Sequence, residues 1–196
     1  YDILTGNKLP EYMAQIRKLL AQGVPIAGIG VQGHLHSDTF DRNQLKGALD
    51  SLAIFKLPIR ITEFNMPGQR SKYHTDKILT MTAEEEKLKA KELVDYYKIC
   101  FAHPAVEGIL MWGFWEGANW IPVSSLYRRD WSPTPAAQAY HDLLYQEWWT
   151  RWQGTADASG RCELPAFYGS YRIVAGGKPA AADLKKMNGT ATVQIR

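Results

Sequence analysis

The chain has 196 residues, of which 45% are hydrophobic and 22% are charged. This length suits one ordinary domain, or a core with a small appendage, and the composition argues against disorder. The net charge is +3, and the 23 basic residues are scattered, which does not favour a nucleic-acid binder. No stretch approaches eighteen uninterrupted apolar residues, so no membrane span is predicted. Cys100 and Cys162 could form one disulfide or remain two free thiols.

Helical and strand-like segments alternate through residues 1–150. Apolar spacing typical of amphipathic helices covers residues 8–22, 41–56, 82–102 and 134–148. Short apolar runs typical of strands cover residues 25–34, 58–63 and 106–112. Thr82 and Glu85 have the spacing of a capping box at the start of the third helix. Strict alternation of this kind predicts a parallel sheet in an α/β fold.

Polar or aromatic residues stand at the carboxyl end of each predicted strand. Gln32 and His34 end the first strand, Glu63 and Asn65 the second, and Trp112 the third. In a (β/α)8 TIM barrel the chemistry lies at this end of the strands, and a complete barrel needs about 250 residues. Three strands cannot close a barrel. We therefore interpret residues 1–150 as the C-terminal half of such a barrel.

The sequence pattern changes in residues 151–196, where turn-forming residues and short β-type runs predict a small antiparallel β module. A turn-forming cluster precedes three β-type runs, at 161–164, 170–175 and 190–195. Gly176-Gly177 and Asn188-Gly189 have the composition of hairpin turns. We expect Phe167, Tyr168 and Tyr171 to form the core of the module, and Trp148, Trp149 and Trp152 to join it to the last helix.

Three motifs carry a resemblance to a known family. VPIAGIGVQGH at 24–34, ITEFN at 61–65 and GILMWGFWEGANWIP at 108–122 resemble strands six, seven and eight of glycoside hydrolase family 10. Its members are mainly endo-1,4-β-xylanases. The motifs occur in the family's order, and the resemblance covers residues 1 to about 150. It implies xylan or a related β-1,4-glycan as substrate, with no metal or organic cofactor. A polymeric substrate in turn leads us to expect secretion.

The resemblance implies catalytic roles for Glu63, His34 and Asn65. Glu63 would be the nucleophile of a retaining glycosidase, with a second carboxylic acid about 5–5.5 Å away that protonates the leaving oxygen. His34 would hydrogen-bond Glu63 and have its other ring nitrogen held by Asn65. The family usually has Asp at this last position. Because Asn supplies no charge, we expect a less basic His34 and a shifted pH profile.

The same resemblance implies contacts between three further residues and the sugar. Gln32 would touch the sugar beside the nucleophile. Trp112 and Trp120 would wall the subsite next to the cleaved bond, because indole faces pack on the apolar face of a pyranose.

The family's acid/base glutamate follows an Asn at the end of strand four, and this sequence resembles the family from strand five onward. We find no convincing substitute among five glutamates, Glu84, Glu85, Glu86, Glu107 and Glu116. A nucleophile without a proton donor should be nearly inert on xylan. An open half-barrel also exposes sheet edges. We therefore expect the N-terminal half of the barrel, or a second copy of the chain, as a partner.

Three alternatives remain open at this stage. His34 and His36 have a spacing found in metal sites, although no third ligand is evident at a strand end. The chain could also be an inactive fragment, or a sugar-binding or structural module without catalysis. Finally, the enzyme could be a retaining barrel glycosidase that acts on a different β-glycan.

Overall fold

A computed structural model of the chain describes residues 2–186 and 188–195. The chain divides into two compact units, Tyr1–His141 and Asp142–Arg196. The boundary predicted after residue 150 stays a prediction.

The first unit contains the predicted parallel sheet. Its strands are β1 (Ile29–Val31), β2 (Ile59–Phe64) and β3 (Val106–Met111), in the order β1-β2-β3. Both neighbouring pairs are parallel. β1 is shorter than the predicted run at both ends, and beyond its carboxyl end the chain turns at Gly33, which has a φ of 84°. A Cβ atom there would lie 2.3 Å from Ile61 Cγ2, so the close approach of the two strands requires glycine.

The four predicted helices of the first unit are present. They are α1 (Leu9–Ala21), α2 (Arg42–Ala53), α4 (Ala83–Ala102) and α5 (Pro135–Asp142), with a one-turn helix α3 (Lys72–Thr75) before α4. The Thr82–Glu85 capping box is confirmed, with both reciprocal hydrogen bonds. The predicted extent of the last helix is wrong, because the α-helix gives way to a π-helical turn at Leu143–Glu147. A 3₁₀ turn at Pro122–Ser124 was not predicted.

The core lies between the sheet and the helices that follow its strands. Leu45, Leu49 and Leu52 of α2 are fully buried, as are Ile59 and Ile61 of β2 and Tyr96 of α4. β3 is an edge of the described sheet and is less covered, with Leu110 54% exposed. The central strand therefore packs one face in the core, and its carboxyl end carries Glu63 and Asn65.

The second unit contains one antiparallel hairpin, β4 (Gly169–Ala175) with β5 (Lys178–Leu184). The Gly176-Gly177 turn is confirmed, with both glycines at positive φ. Residues 161–164 and 190–195 are not strands, so those two predictions are wrong. At Asn188-Gly189, Gly189 has the positive φ of a turn, but no paired strand follows in residues 190–195.

The aromatic residues of the second unit do not form the expected core. Phe167 and Tyr168 are exposed, while Tyr171 is half-buried and donates a hydrogen bond to Thr150 Oγ1 at 3.1 Å. Trp149 and Trp152 are about half exposed as well. A single hairpin offers too little surface to bury such large rings. The role of the tryptophans in joining the last helix to the module stays a prediction.

Both cysteines are free thiols: Cys100 is buried and Cys162 is exposed. Burial raises the pKa of the Cys100 thiol to about 12. Within the described part of the chain, no helix combines the length and apolar character needed to cross a bilayer.

Candidate active site

The parallel sheet brings the predicted site residues to one edge. His34, just beyond β1, forms an isolated parallel bridge with Asn65, just beyond β2. The backbone N–H of Trp112, just beyond β3, donates to the carbonyl of Phe64 at 2.8 Å. The carboxyl ends of all three strands therefore converge, as in a barrel whose chemistry lies at that end.

Glu63 and His34 are in direct contact. The two atoms His34 Nε2 and Glu63 Oε2 lie 3.1 Å apart, within hydrogen-bond distance. Their side chains are 10% and 27% exposed, respectively, so the carboxylate stays accessible while the imidazole is largely enclosed. The backbone N–H of Glu63 also donates to the Gln32 carbonyl at 2.6 Å, which fixes the position of the Glu63 backbone from which the carboxylate projects.

Two indole rings flank the imidazole. The Trp112 ring meets the His34 ring edge-on, with centroids 6.3 Å apart, and the Trp120 ring lies 5.8 Å from His34. Trp112 and Trp120 are 49% and 43% exposed, which is unusual for such large side chains. Flat rings that remain open beside a carboxylate offer stacking surfaces to a ligand with an apolar face.

Gln32 contributes an unsatisfied polar atom to the same edge. Its side chain is half-buried, and its Oε1 is buried without a hydrogen-bond partner. A buried amide oxygen of this kind gains from a donor such as a ligand hydroxyl.

Asn65 does not make the contact that the sequence led us to expect. Its Nδ2 donates to Ser124 Oγ at 2.6 Å, and the Ser124 hydroxyl donates in turn to the Ile121 carbonyl at 2.7 Å. His34 Nδ1 and Asn65 Oδ1 are both buried, and neither has a hydrogen-bond partner. The amide is a donor where an aspartate would be only an acceptor, so it binds the serine oxygen of the following loop.

One aromatic neighbour was missed by sequence reasoning. The ring of His74, on the one-turn helix α3, packs on Trp120 with centroids 5.1 Å apart. Lys72 of the same helix pairs with Glu85 at the start of α4. The Lys72 ammonium group and the Thr82 backbone N–H together lower the pKa of the Glu85 carboxyl to about 2. No motif in this segment indicated that a histidine would support the indole.

The five glutamates considered as substitutes for the acid all have partners other than Glu63. Four of them form ion pairs: Glu84 with Lys87 at 3.7 Å, Glu85 with Lys72, Glu86 with Arg128 at 2.5 Å, and Glu107 with Arg60 at 3.9 Å. The fifth, Glu116, accepts a hydrogen bond from the Arg129 backbone N–H at 2.9 Å. These contacts do not direct any of the five toward the Glu63–His34 pair.

The two histidines of the possible metal motif do not converge. His34 faces Glu63, whereas His36 Nε2 lies 2.5 Å from Asp2 Oδ1. Burial is the main cause of a lowered pKa for His36. Across residues 2–186 and 188–195, no group of three His, Cys, Asp or Glu side chains could hold a metal ion.

Comparison with known proteins points to one family. The model of glycosyl hydrolase family 10 matches residues 1–143. Endo-1,4-beta-xylanase 2 of Arabidopsis thaliana is 30% identical across 88% of this chain, and the anti-sigma-I factor RsgI6 of Acetivibrio thermocellus is 38% identical across 88%. The chain spans only 15% and 20% of these two relatives.

Solved xylanase structures share the fold. Xylanase 10B from Thermotoga petrophila, in complex with xylobiose, superposes with a TM-score of 0.61 at 26% identity. The native xylanase 10B from Thermotoga maritima gives 0.60, also at 26% identity. Each match covers 75% of this chain and 45% of the xylanase chain. The α/β unit is therefore the C-terminal half of a TIM barrel, and the small antiparallel hairpin follows it in sequence.

Proposed function

Because its residues 1–143 match the family model, the chain belongs to glycosyl hydrolase family 10, and we propose that it supplies the nucleophile side of a retaining endo-1,4-β-xylanase-like active site. The observation that carries this proposal is the 3.1 Å contact between Glu63 and His34 at the carboxyl ends of adjacent parallel strands, beside two exposed indoles. Carboxylate, imidazole and aromatic wall converge where a TIM barrel performs its chemistry.

Glu63 attacks the anomeric carbon, and the glycosidic C–O bond breaks as the glycosyl–enzyme ester forms. A carboxylic acid on the opposite side, about 5–5.5 Å from Glu63, protonates the leaving oxygen and then activates the water that hydrolyses the ester. His34 holds the attacking carboxylate in place through its Nε2–H. Positioning of this kind lowers the entropic part of the barrier.

The groups around the Glu63–His34 pair, called the cleft below, support the proposed substrate class. Trp112 and Trp120 present open ring surfaces on which the C–H face of a pyranose packs. Gln32 Oε1 is a buried acceptor that a sugar hydroxyl satisfies. These groups suit xylan or a related β-1,4-glycan, and a polymer of that size leads us to propose that the protein acts outside the cell.

The acid is proposed to come from polypeptide beyond these 196 residues. The five candidate glutamates are engaged elsewhere, and the edge strand β3 leaves Leu110 54% exposed. An N-terminal half-barrel would cover this edge and bring a carboxylic acid opposite Glu63. A second copy of the chain is the other arrangement that covers the edge.

The test uses the full-length protein that contains this chain. We expect Glu63→Gln to lower kcat on xylo-oligosaccharides by at least about 10³-fold. Glu107→Gln, which changes an exposed glutamate on β3, serves as the matched control and should stay near wild type. Proton NMR of the first product should show the β-anomer. An active Glu63→Gln variant, or an α-anomer as the first product, would overturn the proposal.

A second function is binding without hydrolysis. Two observations favour it: each of the five candidate glutamates is paired with a group other than Glu63, and one relative at 38% identity is named as an anti-sigma-I factor. In this case the cleft binds a β-glycan as part of a regulatory or structural protein. Calorimetric titration with xylohexaose, together with a hydrolysis assay of the wild-type protein, separates the two functions, since binding without any turnover supports the second.

A further inference from the structure

Lys89, on α4, is a buried cation outside the cleft. It is 4% exposed, and its Nζ donates hydrogen bonds to the Val123 carbonyl at 2.7 Å and to the Ser125 carbonyl. Burial lowers the pKa of Lys89 to about 7, which reflects how unfavourable a charged amine is at this position. An apolar side chain at this position would avoid the cost of burying an amine. The presence of lysine is therefore best explained by the two hydrogen bonds that its Nζ donates.

The two carbonyls lie on either side of Ser124, at the end of the 3₁₀ turn Pro122–Ser124. A turn this short leaves most of its carbonyls without partners inside the helix. One flexible side chain with several hydrogens satisfies both of them. Lys89 therefore fixes the backbone that carries the Ser124 hydroxyl.

The turn fixed by Lys89 contacts the cleft by two routes. Ser124 Oγ accepts the hydrogen bond from Asn65, next to the end of β2. Ile121, which begins the turn, is buried against Tyr73, and it directly follows Trp120 in the sequence. The position of the exposed Trp120 indole thus depends on the path of residues 121–125.

We propose that Lys89 is a positioning residue that holds the 121–125 loop and thereby sets Trp120 as a sugar-binding wall. The sugar-binding part of this inference rests on the proposed function, while the loop-holding part does not. Glu86, Glu116 and Arg128 are the charged groups that act on Lys89, and Asp38 and Glu85 line the small cavity beside it. Lys89 does not itself contact the Glu63–His34 pair in the described hydrogen-bond network.

The test compares Lys89→Met with Leu93→Ala in the full-length protein. Lys89→Met keeps the length of the side chain but removes the donors. Leu93→Ala truncates a buried residue on the same helix, so it controls for general destabilisation. We expect Lys89→Met to increase amide hydrogen exchange in residues 121–126 by about tenfold and to shift the ¹⁹F signal of fluorotryptophan at position 120. Leu93→Ala should leave both local signals unchanged.

A kinetic readout addresses the sugar wall. We expect Lys89→Met to raise KM for xylo-oligosaccharides by about tenfold with a small change in kcat, because the wall binds substrate and touches no reacting atom. If the protein neither cleaves nor binds these sugars, the proposed function fails, and the exchange and ¹⁹F signals still decide whether Lys89 holds the loop.

Unchanged exchange and ¹⁹F signals in Lys89→Met, or equal changes in Leu93→Ala, would overturn the inference. Should Lys89→Met fail to fold, Ser124→Ala breaks the next hydrogen bond in the same route. It should shift the same ¹⁹F signal, and an unshifted signal would count against the inference.

Discussion

Substitution of Asn65 by aspartate probes the arrangement in which this site departs from the family. In the wild-type chain the Asn65 amide donates to Ser124 Oγ, and the Ser124 hydroxyl donates to the Ile121 carbonyl. A carboxylate has no hydrogen to give, so in Asn65→Asp the Ser124 hydroxyl either loses its donor or turns to donate to the carboxylate and leaves the Ile121 carbonyl without a partner. Asn65 is 3% exposed, and water cannot replace the lost donor.

The expected cost has a constant part and a pH-dependent part. Loss of the buried hydrogen bond costs about 1–3 kcal/mol. Burial disfavours the charged carboxyl and raises its pKa above the usual value of about 3.9, and each unit of this shift costs about 1.4 kcal/mol once pH exceeds the raised value. A group with a raised pKa in the folded state loses its stabilising contribution as pH rises. The variant should therefore fall further below wild type at pH 8 than at pH 4.

The assay is urea unfolding from pH 4 to pH 8, with Asn65→Ala as the control that loses the hydrogen bond without adding a carboxyl group. Asn65→Ala should show a nearly constant cost. A different result for Asn65→Asp, with stability equal to or above wild type at pH 6–8, would mean that the new carboxylate reaches His34 Nδ1 and is held there as an ion pair. That outcome would refute the assignment of Asn65 to the Ser124 loop. A pH–rate curve that superimposes on that of wild type would likewise remove the expected effect of Asn65 on His34.

Three further predictions concern the scaffold. Arg42→Met should cost about 2–3 kcal/mol in urea unfolding, because it leaves the buried Glu92 carboxylate without the guanidinium 2.5 Å away, and Glu92→Gln in the same chain should recover part of the loss. Thr82→Ala should cost about 1 kcal/mol through loss of the capping box, whereas Thr80→Ala, outside the helix, should cost nothing measurable. Between pH 7 and 9 the unfolded chain holds a proton that folded Lys89 releases, so stability should rise with pH in wild type by at most about 1.4 kcal/mol per unit. The free energy of unfolding of Lys89→Met should lack this rise. If another group causes it, the difference in free energy of unfolding between wild type and Lys89→Met will not change with pH.

The sequence was informative where side-chain periodicity reflects burial. The alternating helices and apolar strand runs of residues 8–112 predicted the parallel sheet, because each element buries one face in the same core. The strand β5 was missed because its sequence, KPAAADL, has few residues that favour strands. Its pairing depends on the Gly176-Gly177 turn and on backbone hydrogen bonds to β4, which the side-chain pattern does not encode.

The candidate site divides in the same way. Glu63 lies near the end of a strand, and His34 and Trp112 lie just beyond strand ends, so recognising the strands was enough to bring them together. His74 and Ser124 lie in connecting segments whose path depends on tertiary contacts, and no local pattern predicts them. The burial of Lys89 is a similar case, because a lysine near the start of an acidic helix has the pattern of a solvated face. The segment that covers it lies 34 residues later in the chain.

The unpaired Nδ1 of His34 bears on how the site tolerates Asn65. A neutral imidazole that donates from Nε2 to Glu63 carries no hydrogen on Nδ1, so it needs no acceptor there. A charged imidazole would carry a hydrogen on Nδ1 and would leave it buried without a partner. With the family's aspartate, a charged imidazole and two carboxylates sum to one negative charge. Asparagine, a neutral imidazole and Glu63 would sum to the same charge, so a neutral tautomer with a bare Nδ1 fits both the missing acceptor and the replacement of the family's aspartate by Asn65.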